Sequence, residues 1–414
     1  MNVVVIGGGA AGMISAIVAA KEKNKVIIIE KTSSLGNKLK ITGKGRCNLT
    51  FSGGIEKLKA NIVKNYKFMY SSFSKFNNED LVKFFNDLGV KTKIERGCRV
   101  FPVSDDASEI VNALQKELKN CHVEILLNTR VNDITIKDKK VYEVITDSGK
   151  KIKCDKCIVT TGGKSYAKTG STGDGYAIAK NLGHSIVDIM PGLVPLKSNS
   201  KVCKDLQGLS LKNIELKIVD SNKVIYKEFG EIMFAHFGIT GPVVLSASSK
   251  INRVEDLDKK FNENKIKAII DLKPALDKEK LDKRICRDFE KYNNKEFKNS
   301  LNDLLPQKLI PVIIELSMIE PDTKVNQINK KQRERLLNLI KNFEINISEL
   351  MPLDMAIITC GGVDVKQINP KTMSSKLIDG LFFAGEVLDI DAYTGGFNLQ
   401  IAFSTAYTAG KNNN

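Results

Sequence analysis

An α/β fold built on a parallel sheet and interrupted by an inserted domain is what this sequence predicts, on three observations. The first is an apolar run, Val3 to Ile6, feeding Gly7-Gly8-Gly9-Ala10-Ala11-Gly12, a helical apolar pattern to Ala20, and a second run, Val26 to Ile29, ending in Glu30. The second is a short apolar strand near the other end, Leu381-Phe382-Phe383, closing on Ala384-Gly385-Glu386 before a final helix. The third is a change of composition near residue 197, where alternating and then charged, glycine-free helical patterns replace glycine-rich strings, with a return near Pro352. Residues 1–195 and 352–414 are thus expected to form one split domain, and residues 196–351 the insert, β-rich over 196–272 and helical over 273–345.

Strand, glycine turn, helix, strand and terminal acid have the spacing of a dinucleotide fingerprint. Gly7 permits the sharp turn, Gly9 lets backbone amides approach a pyrophosphate, and Gly12 lets helix and strand pack closely. Glu30 can accept the hydroxyls of an adenosine ribose. An ADP-ribose-containing cofactor is therefore expected on Gly7, Gly9, Ala10, Ala11, Gly12 and Glu30. The uncharged stretch from Val3 to Ala20 is neither signal peptide nor membrane span, since no basic residue precedes it, glycines break it and Glu22 follows. A soluble, cytoplasmic protein without a membrane partner is expected.

At 414 residues and 42% hydrophobic content, the chain can bury more than one core. Its eight cysteines, in an unexported chain, read as reduced thiols. The net charge of +16 comes from lysines interspersed with glutamates and asparagines, which predicts a solvated basic surface with a modest attraction for anionic substrates. Nucleic acid is an unlikely partner on that reading.

After Glu30, the glycines Gly36, Gly43 and Gly45 stand among Lys38, Arg46, Asn48 and Thr50, a composition suited to backbone laid against a flat anionic or carbonyl-rich ligand. The string Gly45-Arg46-Cys47-Asn48 resembles the GRCN motif of a bacterial flavoprotein family whose members are described as aminoacetone oxidases, NAD(P)/FAD-dependent oxidoreductases and reductases of dehydrogenated bile acids. The resemblance implies that this loop, with Lys31, Lys38, Gly43, Gly45, Arg46, Cys47 and Asn48, wraps the flavin end of FAD. Cys47 has no resolving thiol at redox spacing and reads as a small packed residue. Cys154 and Cys157 read as buried strand positions, and no metal site is expected.

Residues 55–88 carry two helical patterns, and Val90 to Val103 reads as a hairpin turning at Arg96-Gly97. Arg99-Val100-Phe101-Pro102 resembles a second family string, which makes Arg99 a candidate on the substrate side. Ser104 and two aspartates suit the start of a helix over Ala107 to Lys119. After a strand from Val123 to Leu127, Val131 occupies the place where such flavoproteins offer backbone groups to adenine. Residues 131–136 and 142–145 then alternate as a β-ribbon. The string from Thr161 to Gly175 meets every fixed position of the family's T-G-G-x-S-x-x-x-T-G-S-T-G-D-G, placing Thr161 and Gly162 beside the pyrophosphate.

In the insert, residues 211–219 and 224–232 read as a hairpin, and 276–318 and 330–343 as helical. Phe234 to Pro242 resembles the family's F-T-H-x-G-[IL]-[ST]-G-P. His236, one of three histidines, is the candidate proton donor. At the C-terminus the resemblance implies Gly385 and Glu386 at the ribityl chain. Gly395 and Gly396 free the amides of Asn398 and Leu399 for the flavin C2 carbonyl. The whole resemblance implies a two-dinucleotide-binding-type, glutathione-reductase-like FAD domain split by a substrate domain. With no second complete fingerprint, NAD(P)H would serve only as a transient electron donor. The expected reaction is two-electron hydride transfer between flavin and a small-molecule substrate, such as reduction of an activated C=C bond in a steroid or bile-acid-like enone. An oxygen-using amine oxidase, a flavin-dependent tRNA-modifying enzyme and a non-catalytic flavoprotein are the alternatives.

Overall fold

The computed structural model describes residues 1–411, which divide into two compact units, 1–192 with 353–411 and 193–352. The first unit is organised by β1 (Asn2–Ile6), α1 (Ala10–Lys21), β2 (Lys25–Ile29), α2 (Asn37–Ile41), β3 (Glu124–Leu126), β4 (Lys156–Val159), β5 (Leu381–Phe383) and α3 (Phe397–Lys411). The five strands form a wholly parallel sheet in the order β5-β4-β1-β2-β3. Val3, Val4 and Val5 on β1 and Cys157, Ile158 and Val159 on β4 are all buried, which is why both strands are continuous apolar runs. Helix α1 has no polar face because α3 packs along it. A Cβ on Gly410 would lie 2.7 Å from the Ser15 carbonyl oxygen, so that crossing needs a glycine.

Lys156, also on β4, is buried. Its ammonium donates to the Ala409 carbonyl at 2.6 Å near the end of α3 and lies 4.3 Å from the Phe382 ring centre. The last carbonyls of a helix lack intrahelical donors, so a lysine here meets that need. Burial pushes this ammonium down to about 8.

Two three-stranded antiparallel sheets also belong to the unit. One joins Val131–Lys137, Lys140–Thr146 and Lys151–Lys153, adding a third strand to the expected ribbon. The other joins Thr50–Phe51, Arg99–Pro102 and Thr92–Glu95. The helix after the hairpin starts on Asp106, whose carboxylate accepts the Ser108 N–H at 2.8 Å. The stretch read as two helices instead contains three, Ile55–Asn61, Tyr70–Lys75 and Asn78–Asp87, with a strand, Ile62–Lys64, between the first two. That strand pairs with Asp391–Ala392, a remote partner that local periodicity cannot reveal. Left-handed Asn65 then ends it, its amide donating to the Asp389 carbonyl at 2.6 Å.

The second unit holds a seven-stranded antiparallel sheet, in the order 343–346, 266–271, 210–220, 223–235, 238–240, 196–197 and 349–350. Helix Pro242–Ile251 packs on it so closely that a Cβ on Gly230 would meet Val243 at 2.4 Å. The stretch 276–318 is not one helix: Lys278–Lys291 and Ile310–Ser317 are separated by loops and short 3₁₀ turns. Asp282 and Arg333, 2.8 Å apart, tie the first of these to Lys330–Lys341. Among the described residues no helix is long and apolar enough to cross a membrane.

Candidate functional site

At the end of β1 the Gly7 N–H donates to Ile29 at 2.8 Å and the residue turns with φ +101°. A Cβ on Gly12 would stand 1.8 Å from the Gly7 carbonyl oxygen, so the β1–α1 crossing excludes any side chain there. Gly9 differs. Its φ of −77° is open to any residue, and a Cβ there would meet nothing within 4 Å. Space therefore lies open before the first turn of α1, whose amides, those of Ala10 and Ala11 included, have no intrahelical acceptors. Glu30 is fixed beside it. One carboxylate oxygen accepts the Gly8 N–H at 2.7 Å, and the other accepts the N–H and hydroxyl of Thr32, both at 2.8 Å. Of roughly four lone-pair positions on a carboxylate, one remains for a ligand hydroxyl. The Thr129 N–H donates to the Glu30 carbonyl at 3.0 Å, which brings Val131 into the neighbourhood.

The second fingerprint meets the first directly. Gly385 has φ +80°, and a Cβ on it would sit 2.8 Å from that of Ala11. Glu386 is held from three directions: Lys38 donates to one oxygen at 2.7 Å, and the Thr359 N–H and Ser165 hydroxyl donate to the other at 2.8 and 3.2 Å. Lys38 also donates to Ser165 at 2.7 Å. The Lys38 and Glu386 side chains are only 22% and 21% exposed. Gly162, at φ +72°, borders this carboxylate, and the buried Thr161 hydroxyl has no hydrogen-bond partner among the described residues. Tyr176 donates to the Glu386 carbonyl at 3.4 Å; burial, and then the nearby Glu386 charge, keep its phenol protonated. Ser165, Thr359 and Tyr176 were not among the expected site residues. Ser165 is the fixed serine of the T-G-G-x-S string, whereas no local signal marks Thr359.

The GRCN loop reaches the start of α3. The Asn48 amide accepts the Gly396 N–H and donates to Thr50, both at 3.0 Å, in the orientation that satisfies its neighbours. The Thr50 hydroxyl donates to Gln400 at 2.6 Å, and a Cβ on Gly396 would meet the Thr50 carbonyl oxygen at 2.4 Å. The Asn398 side chain is spent internally, bridging the N–H and carbonyl of Ala392 at 2.9 and 2.8 Å. Only backbone amides of Asn398 and Leu399 are left to face a ligand. Gly43 and Gly45 are left-handed, and a Cβ on Gly43 would lie 2.8 Å from the Asn48 nitrogen. Cys47 is fully buried, and burial pushes its thiol up to about 12, so it carries no thiolate near neutral pH.

Several expected residues are engaged elsewhere. Lys31 pairs with Asp174 at 2.8 Å and with Thr172; burial would raise the Asp174 carboxyl, but bonds from Lys31 and Arg130 outweigh it and hold the group low. Arg46 pairs with Glu95 and Asp105 and stacks 4.3 Å over Phe101. Arg99 is exposed, donating to the Arg96 carbonyl at 3.1 Å. His236 is exposed in the second unit, between strands Lys223–Ala235 and Gly238–Thr240.

An open helix start, a glycine cradle, one free acceptor position on Glu30 and an orphaned hydroxyl suit a long dinucleotide cofactor. The HI0933-like protein Rossmann domain family matches residues 1–412. The chain is 30% identical to the 3-dehydro-bile acid delta(4,6)-reductase of Clostridium scindens, over 98% of its own length and 97% of that protein. It is 27% identical to the ribosomal RNA dihydrouridine synthase of Escherichia coli, over 98% and 96%. Its fold is like that of 3-ketosteroid delta1-dehydrogenase from Sterolibacterium denitrificans, with a TM-score of 0.51, 12% identity, and coverage of 99% of this chain and 98% of that one. The chain therefore belongs to the HI0933-like Rossmann-domain family and is an FAD-dependent oxidoreductase.

Proposed function

We propose that this oxidoreductase saturates a C=C bond conjugated to a carbonyl, and that its substrate is the uracil ring of an RNA. One observation carries this reading: two near-full-length relatives with unrelated substrates have names that imply the same bond change. A delta(4,6) bond in a 3-dehydro bile acid and the C5=C6 bond of uridine are both conjugated to a carbonyl. The charge of +16 favours the polyanionic substrate of the two. A 3-oxo steroid enone is the second reading, favoured by the 30% identity to the bile-acid enzyme.

FAD, when bound, supplies two-electron hydride chemistry between a nicotinamide donor and the substrate. The amides at the start of α1 would hold its pyrophosphate, Glu30 an adenosine ribose hydroxyl, and Val131 backbone groups the adenine. Glu386, fixed by Lys38, Ser165 and Thr359, would accept from the ribityl chain, with Thr161 and Gly162 alongside. Backbone N–H groups of Asn398 and Leu399 would donate to the ring carbonyl. NAD(P)H is the electron donor and leaves as NAD(P)⁺. Hydride goes to the β-carbon and a proton to the α-carbon, so a cation or acid must meet the growing charge on the carbonyl. Arg99 and His236 are the candidates. Their alanine variants should keep stoichiometric FAD and lose on the order of 100-fold in turnover; loss of FAD, or unchanged turnover, would remove them from the chemistry.

The test is anaerobic incubation of the loaded protein with NADH or NADPH and a ribosomal RNA fragment, then mass spectrometry of the nucleosides. A uridine heavier by two hydrogens supports the reading. Reduction of a 3-oxo-delta(4,6) steroid alone supports the second, and no reduction of either sinks both.

A further inference from the structure

The excess positive charge is unevenly distributed. Residues 31–78 contain ten lysines and arginines but one acid, Glu56, so this stretch holds more than half of the net charge of +16. Five of the ten are neutralised in the fold: Lys31 by Asp174, Lys38 by Glu386, Arg46 by Glu95 and Asp105, Lys59 by Glu56 and Lys64 by Asp389. The others, Lys40, Lys44, Lys57, Lys67 and Lys75, meet no carboxylate among the described residues. Lys57 and Lys75 reach only the carbonyls of Ser52 and Lys371. Lys44, Lys67 and Lys75 are exposed, and Tyr70, 44% exposed, stands edge-on to Tyr66 at 6.0 Å in the same stretch.

This chain is fastened around one end of the candidate site. Asn48 holds Gly396, Asn61 accepts the Tyr393 N–H at 2.9 Å, and Ile62–Lys64 pairs with Asp391–Ala392. The cations are thus carried by loops and short elements that run from the start of α3, beside Asn48 and Asn61, to its middle turns, where Phe76 accepts from Ser404 and stacks on Tyr407. Unneutralised like charges repel, and that cost is relieved by a bound polyanion. One carboxylate on a steroid would use one or two of the five; a sugar-phosphate backbone offers a charge per nucleotide, and exposed Tyr70 offers a face for an unpaired base.

We propose that residues 40–75 form the docking surface for the phosphate backbone of a folded RNA substrate. The inference rests on the reading of the substrate as RNA and assigns where that RNA is held. It is tested with flavin-loaded, full-length protein by fluorescence anisotropy, using a labelled uridine-containing RNA hairpin over a KCl series. A Lys44→Gln, Lys67→Gln, Lys75→Gln variant should keep its flavin and its rate of flavin reduction by NAD(P)H. Its slope of log affinity against log salt should shrink by about two to three, at roughly 0.7–0.9 per phosphate contact. Affinity near physiological salt should fall at least about tenfold. On the RNA substrate the loss should lie in KM, with kcat held.

A control variant, Lys116→Gln, Lys119→Gln, Lys180→Gln, removes three exposed lysines elsewhere in the same unit. An equal loss in the control, or none in the first variant, overturns the proposal. RNA reduction by wild type with undiminished binding by the first variant overturns the docking surface alone. Wild type that binds RNA with the expected slopes but reduces no uridine leaves the surface standing and sinks the catalytic reading. Displacement of nothing but a bile-acid carboxylate from these lysines overturns the RNA assignment.

Discussion

Gly9 and Gly12 lie three residues apart and answer to different constraints. A methyl on Gly12 would stand 1.8 Å from the Gly7 carbonyl oxygen, whereas one on Gly9 meets nothing within 4 Å at an unstrained φ. Gly12→Ala should therefore lower the Tm of the apo protein. Gly9→Ala should leave that Tm within a few degrees and weaken FAD binding at least about tenfold by filling the pyrophosphate's approach. Calorimetric titration of apo protein with FAD separates the two, and unchanged affinity in Gly9→Ala would place the pyrophosphate elsewhere. Lys156 makes a pH prediction. Its ordinary pKa near 10.5 falls to about 8 on burial, so below pH 8 both states are protonated and the fold bears the full cost of burying the charge. Between pH 8 and 10.5 the unfolded state binds more protons, and stability contributed by this residue rises with pH. Wild type should gain on Lys156→Met across that window, by on the order of 1–3 kcal/mol in urea unfolding; parallel curves would contradict it. Nothing in the sequence singles out Lys156, because a lysine that follows Asp155 at the start of a strand does not state how deeply it is buried.

Helix α2 is short, but it carries the cation that fixes Glu386. Lys38→Met removes the partner of a mostly buried carboxylate and should cost at least about tenfold in FAD affinity, with Lys38→Arg retaining most of it. Equal dissociation constants for wild type and Lys38→Met would reduce the pair to a surface contact. The elements most legible in the sequence, such as β1, α1, β2 and the Thr92–Pro102 hairpin, are those whose constraints are local: apolar runs, glycine turns, caps. Strand Ile62–Lys64 was not legible because its partner is Asp391–Ala392, and periodicity within 55–88 favours helix. For the same reason Lys31 and Arg46 read as ligand contacts. Their carboxylate partners, Asp174, Glu95 and Asp105, lie far along the chain, and only the fold brings them within bonding distance.

For the whole molecule, the parallel sheet and its glycine turns follow from runs of residues that have few other uses. The charge pattern is present in the sequence but spread along it. Basic residues two to eleven positions apart form no block, and only a count over residues 31–78 exposes the deficit of acids. What the fold adds is which cations are already neutralised. The central claim is that this flavoprotein passes hydride to a conjugated C=C bond in RNA, and its most direct test is optical. Loaded protein reduced anaerobically with a limiting amount of NADPH or NADH is mixed with a uridine-containing ribosomal RNA fragment, and the oxidised-flavin absorbance is followed. Absorbance should return without oxygen, in proportion to the reduced uridine formed. Return only on admitting oxygen, with the RNA unchanged, would contradict the account.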